Sequence, residues 1–121
     1  MSDSGKKPVG ILFSRSPFSD YRVSESLRMA VGLTLGKNSV RLFFSGDGVF
    51  CLLKNDAERL ESLPLAKHIE TLGMLKCPVI AEEESLEKRD ISPELIPYQL
   101  TTMKDDSFLE QLNACEILIH A

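Results

Sequence analysis

Short, nearly continuous apolar runs alternate along this chain with stretches in which apolar residues recur every three or four positions. Residues 9–13, Val-Gly-Ile-Leu-Phe, form the first run. A run apolar on both sides predicts a strand covered on both faces, as in a parallel sheet. Polar residues 14–20 follow, and then Val23, Leu27, Ala30, Val31 and Thr34 fall on one helical face, with Gly36 placed to end the helix. Residues 40–44 predict a second strand, closed by the turn Ser45-Gly46-Asp47-Gly48. Residues 49–53 are apolar but too near that turn for another strand, so they read as a buried loop or short helix. Pro64 opens a second long helix through Leu65, Ile69 and Leu72, with Gly73 as its expected C-cap. The pattern then gives a strand at 78–81 and a charged helix at 82–89 expected to be exposed. The triplet Glu82-Glu83-Glu84 suits that helix's first turn. A strand at 98–100, a helix at 105–113 with Phe108, Leu109 and Leu112 inward, and a strand at 117–119 complete the series. Strands alternating with helices predict right-handed βαβ crossovers, hence an α/β three-layer α/β/α sandwich on a five-stranded parallel sheet.

Composition narrows the class. At 121 residues the chain has room for one domain, read here as 8–121 behind a polar tail at 1–7. With 43% hydrophobic and 26% charged residues it is ordinary globular material. A formal charge of −4, with both signs dispersed, offers no basic stripe for nucleic acid, so none is expected as a main partner. No segment reaches the ~20 apolar residues of a membrane span, and 1–7 lack the apolar core of a secretory leader. The three cysteines, Cys51, Cys77 and Cys115, are odd in number and irregularly spaced, which fits a reducing cytoplasm better than a disulfide or zinc framework. No metal site and no cofactor is expected. Neither GxGxxG nor GxxxxGK[ST] occurs.

In open parallel sheets ligands bind beyond the carboxyl ends of the strands, where loops meet helix N-termini. That rule collects Ser14, Arg15 and Ser16 after strand one, Gly46, Asp47, Gly48 and Cys51 after strand two, Thr101 and Thr102 after strand four, and His120 after strand five. Ser14, Arg15 and Ser16 could hold an anion through the guanidinium and nearby helix amides, or simply cap the loop. Gly46, Asp47 and Gly48 are ligand candidates by position. Cys51 is the thiol best placed for nucleophilic chemistry, with His120 a candidate partner to activate it. Its apolar neighbours Phe50, Leu52 and Leu53 instead suit a buried, inert thiol. Cys77 and Cys115 precede strands and are assigned to the opposite rim. His68 falls beside the buried face of its helix and reads as a partly buried histidine.

The segment Phe43-Phe44-Ser45-Gly46-Asp47-Gly48-Val49-Phe50, followed by Leu52-Leu53, resembles a hydrophobic strand and DGVF motif of the DsrE/DsrF-like sulfur-relay proteins, within them the DsrF/TusC branch. Leu72-Gly73, Ser85-Leu86-Glu87-Lys88-Arg89 and Ile117-Leu118-Ile119 extend the likeness in the same order. The resemblance implies a DsrEFH-like sheet in order 4-3-2-1-5. It also implies oligomerisation, either with DsrE-like and DsrH-like subunits or with itself as a homo-oligomer such as a trimer or hexamer. Catalytic members of the family bear a persulfide on a cysteine at the end of strand three, ahead of a helix that closes on glycine. Matching that helix to residues 86–90 puts Ala81 at the cysteine position and Asp90 at the glycine. The resemblance therefore implies a non-catalytic subunit of a sulfur-relay oligomer, of the sulfur-oxidation or tRNA-thiolation type. The alternatives are a sulfurtransferase or persulfide carrier using Cys51, and a small anion-binding module built on Ser14, Arg15 and Ser16.

Overall fold

The computed structural model describes residues 8–15, 22–36, 38–53, 65–96 and 98–121, with the side chains of 22–24 and 65–68 left out. The tail at 1–7, Ser16, Pro64 and the His68 side chain lie outside the described residues. The chain runs β1 (Pro8–Phe13), α1 (Arg22–Leu35), β2 (Ser39–Phe44), a 3₁₀ helix (Gly46–Leu52), α2 (Leu65–Met74), β3 (Val79–Glu82), α3 (Glu83–Lys88), a 3₁₀ turn (Pro93–Leu95), β4 (Thr101–Met103), α4 (Asp105–Asn113) and β5 (Ile117–His120). The five strands form one sheet in the order β4-β3-β2-β1-β5. Every pairing is parallel. Both the three-layer α/β architecture and the strand order agree with expectation.

Register decides which side chains share a face. Ile11 lies opposite Leu42 and Ile119, and Leu42 opposite Val79. This face packs on Leu27 and Ala30 of α1, Ile69 and Leu72 of α2, Leu86 of α3, and Val49 and Leu52 of the 3₁₀ helix. Phe13 and Phe44 stack within it at 4.9 Å between ring centroids. The opposite face is thinner. Phe43 and Ile80 pack there on Phe108 and Leu112 of α4, and Phe43 meets Phe108 edge to face at 5.6 Å.

Four local expectations are corrected. The strand read at 98–100 lies at Thr101–Met103, where two β-branched threonines pair with Ile80 and Ala81, so Thr101 and Thr102 are in the strand and do not follow it. Tyr98 and Leu100 are apolar because they pack on the core from irregular chain. Gly73 lies inside α2 and is not its cap. The helix ends beyond it, where Lys76 takes φ 62 and Cys77 N–H donates to the Leu72 carbonyl at 2.9 Å, a left-handed closure without glycine. The charged helix read as exposed buries Ser85 and Leu86, because it lies over the 3₁₀ helix. Leu109 was expected inside α4 but is 50% exposed, since only Phe108 and Leu112 of that helix are buried.

Candidate functional site at the carboxyl rim

Ser14 and Arg15 are the first residues after β1, and His120 is the last of β5. The β1–β5 register sets Leu12 opposite His120, and Ala121 N–H donates to the Leu12 carbonyl at 2.9 Å. The two strand ends are thereby pinned side by side. Ser14 Oγ and His120 Nε2 share a hydrogen bond of 3.0 Å across this gap, joining residues 106 apart in sequence. Arg15 and His120, with Glu25, Ser26 and Met29 from the first half of α1 and with Ala121, line a cavity of about 390 Å³. Two candidates chosen separately, the Ser14–Arg15 loop and His120, are thus parts of one wall.

Cys51 lies on the inner side of the same loop. Its thiol is buried and reaches the Arg15 carbonyl at 3.9 Å. Burial pushes it up to about 12, against an ordinary 9.0, only partly offset by a backbone hydrogen bond. The structure places no bond between Cys51 and His120 among the described contacts; the imidazole is joined to Ser14. Cys77 is buried at the amino-terminal rim, where its thiol donates to the Val40 carbonyl at 3.0 Å, and desolvation pushes it up to about 12 as well. Cys115 precedes β5 and is the least buried thiol. Desolvation raises it, and the Arg41 charge opposes that rise.

Gly46, Asp47 and Gly48 build a second cluster whose polar groups are engaged within the protein. Gly46 takes φ +54, and its N–H donates to Ser85 Oγ at 2.9 Å. Ser85 Oγ in turn donates to the Glu82 carboxylate. Asp47 Oδ1 accepts from Arg89 Nε at 3.1 Å and Nη2 at 3.0 Å. A Cβ on Gly48 would stand 1.9 Å from the Phe13 carbonyl oxygen, so only glycine lets the 3₁₀ helix close onto the end of β1. The cluster fastens that helix to β1 on one side and α3 on the other.

The profile of the DsrE/DsrF-like family matches residues 7–120, nearly the entire chain. The chain belongs to the DsrE/DsrF-like family. Among solved structures, the ychN protein from E. coli superimposes with a TM-score of 0.80 at 17% identity, over 95% of this chain and 99% of that one. This likeness is one of fold. No curated protein sequence matches the chain. Family membership gives the DGVF segment its meaning in this structure: Asp47, Gly48 and their neighbours hold the carboxyl rim together. Ala81 is fully buried near the end of β3. Asp90 takes φ 56 at the close of α3, a left-handed position that glycine adopts most readily.

Sequence reading missed Glu25, Ser26 and Met29, which flank the buried Leu27–Ala30 stripe of α1 and come to line the cavity because α1 packs over β1 and β2. It also missed Ser85. The available signal was a lone serine beside Leu86 in an otherwise charged helix. Among the described residues no group of three or more His, Cys, Asp and Glu is gathered as for a metal ion, and no helix is long and apolar enough to cross a membrane.

Proposed function

We propose that this chain is a non-catalytic, DsrF/TusC-like subunit of a cytoplasmic sulfur-relay oligomer. The supporting observation is the absence of an accessible thiol on the carboxyl rim: Ala81 stands at the family's cysteine position, and Cys51 is buried and held up to about 12. A persulfide carrier needs a thiolate that its donor can reach. At pH 8 a thiol with that pKa is ionised in only about one molecule in ten thousand. Cys51 as a carrier is thereby disfavoured.

An assembly role is supported by the apolar residues exposed at the edge of the sheet among the described residues. A parallel sheet normally has both faces covered. β5 is an edge strand of the sheet, and its Ile117 and Leu118, which point to opposite faces, are each 47% exposed. DsrE-like and DsrH-like subunits, or further copies of this chain, are the occupants consistent with family membership. The test combines light scattering with persulfide mapping. The chain is expected to form an oligomer, alone or when co-expressed with DsrE-like and DsrH-like subunits. After incubation with a persulfide donor, mass spectrometry should find Cys51 unmodified. A monomer under every condition, or a Cys51 persulfide that disappears in Cys51→Ser, would overturn the proposal.

A further inference from the structure

The sheet has two edge strands, β4 and β5, and they differ in how well they are guarded against pairing. We infer that β5 pairs with β5 of a second copy of this chain, antiparallel about a two-fold axis at Leu118, joining two sheets into one. The inference deepens the assembly role proposed above and rests on that reading for the existence of an oligomer. β4 is three residues long, Thr101–Met103, and runs directly into the exposed Lys104. A very short strand flanked by lysine is a usual protection of an edge. β5, Ile117–His120, contains neither lysine nor proline, and its Ile117 and Leu118 are each 47% exposed on opposite faces. Among the described residues β1 is its only strand neighbour.

Backbone groups turn to alternate sides along a strand. Just past the end of β5, Ala121 N–H donates to the Leu12 carbonyl at 2.9 Å, so the backbone groups of Ile117 and Ile119 are turned to β1 as well. Those of Leu118 then point to the open edge, a template for another extended segment. Glu116 N–H, ahead of the strand, is bonded to the Pro8 carbonyl at 3.0 Å and takes no part. A two-fold axis at Leu118 sets this residue opposite its own copy, with two N–H···O bonds exchanged between them. The same register puts Ile117 opposite Ile119 of the second copy and Glu116 opposite its His120, so apolar meets apolar on both faces and no like charges are opposed. Ile119 packs against the core on the α1 side, and the incoming Ile117 extends that layer. His120 keeps its side-chain bond to Ser14, which stands off the plane in which strands pair. A two-fold contact closes at two copies, whereas β5 laid on β4 of another copy would run head to tail into an open array.

Amide hydrogen exchange of the unmodified protein, followed residue by residue against concentration alongside light scattering, tests the pairing. Exchange of the Leu118 N–H is expected to slow at least roughly tenfold as the oligomer forms, while the Ile119 N–H, turned to β1, is protected at every concentration. In a Cys115→Ser background, Leu118→Cys should give a disulfide-linked dimer on mild oxidation. Opposed residues in a hydrogen-bonded antiparallel pair lie about 5.5 Å apart between Cα atoms, within the roughly 4.4–6.8 Å that a disulfide spans. Thr102→Cys on β4 should give none. An oligomer in which the Leu118 N–H exchanges freely and Leu118→Cys stays unlinked overturns the pairing and leaves the assembly role standing. A link between Leu118→Cys chains and Thr102→Cys chains shows head-to-tail contact and overturns it too. So does a protein that stays monomeric alone at every concentration, and the assembly role then depends on binding to DsrE-like and DsrH-like subunits.

Discussion

The two buried thiols make stability depend on alkaline pH. Cys51 and Cys77 are held up to about 12 in the folded chain, against an ordinary 9.0 in the unfolded one. Below pH 9 both states keep the protons and the stabilisation is fully present. Between 9 and 12 the unfolded thiols ionise while the folded ones do not, so the unfolded state binds fewer protons and stability falls as pH rises. Each thiol contributes a slope of up to about 1.4 kcal/mol per pH unit. Urea unfolding from pH 8 to 11 should show a steeper fall for the native protein than for Cys51→Ala/Cys77→Ala, whatever the variant's absolute stability. The burial of Cys51 was legible from its apolar neighbours and that of Cys77 from its place just before a strand, but the Cys77 contact with the Val40 carbonyl on another strand was not. Two other residues adopt backbone conformations unusual for side-chain-bearing residues, Lys76 at φ 62 and Asp90 at φ 56. Replacing Lys76 by glycine removes that cost, and a gain of about 1 kcal/mol is expected in chemical denaturation. Asp90→Gly should gain less, because aspartate tolerates the left-handed region better.

Among elements, the joint between the Gly46–Leu52 3₁₀ helix and α3 fixes the shape of the carboxyl rim. Its polar contacts differ in worth according to burial. Ser85 is 4% exposed and its hydroxyl both accepts from Gly46 N–H and donates to Glu82. Removing it leaves a donor and a carboxylate short of their partner in a water-poor place, so Ser85→Ala should cost about 1–3 kcal/mol. The Asp47–Arg89 pair is 3.0 Å long with the aspartate side chain 60% exposed. Asp47→Asn should therefore cost no more than about 0.5 kcal/mol, and less still in high salt. A urea midpoint for each variant separates the two. Sequence reading placed a turn at 45–48 and a buried loop or short helix at 49–53; the structure has one 3₁₀ helix that already begins at Gly46. It missed the joint because Ser85 meets Gly46 across 39 residues. The same limit explains β4: Tyr98 and Leu100 carry the apolar signal, while the strand is chosen by which backbone groups reach β3, and those belong to Thr101–Met103.

For the whole molecule, the exposed apolar edge strand β5 is the feature that bears on assembly. Among the described residues α1, α2, α3 and the 3₁₀ helix pack on one face, while α4 packs on the other, where Leu12, Phe43, Ile80 and Met103 from four strands meet its cluster. Leu118 on β5 faces this thinner side beside Gly10, whose missing Cβ makes room for Cys115 and for Leu118 itself. If neighbouring subunits complete this face, Leu118→Lys should shift the protein toward monomer in light scattering while leaving its Tm at low concentration within about 2 °C, since an exposed site tolerates the change within about ±0.5 kcal/mol. An unchanged oligomer would place the contact elsewhere.

The sequence by itself determined the alternation of strands and helices, the parallel sheet, the family and the residues that close the DGVF turn, because hydrophobic period, glycine geometry and turn chemistry are written within a few neighbouring positions. Tertiary structure alone decided which of the rim residues meet. Ser14 reaches His120, and Glu25 lines the same cavity as Arg15, because β5 pairs with β1 and α1 packs over β1, bringing the carboxyl ends of the two strands next to each other. It also decided that Cys51, on the functional rim by position, is a core residue by environment: desolvation depends on what packs around a thiol, and that packing comes from every layer of the fold at once.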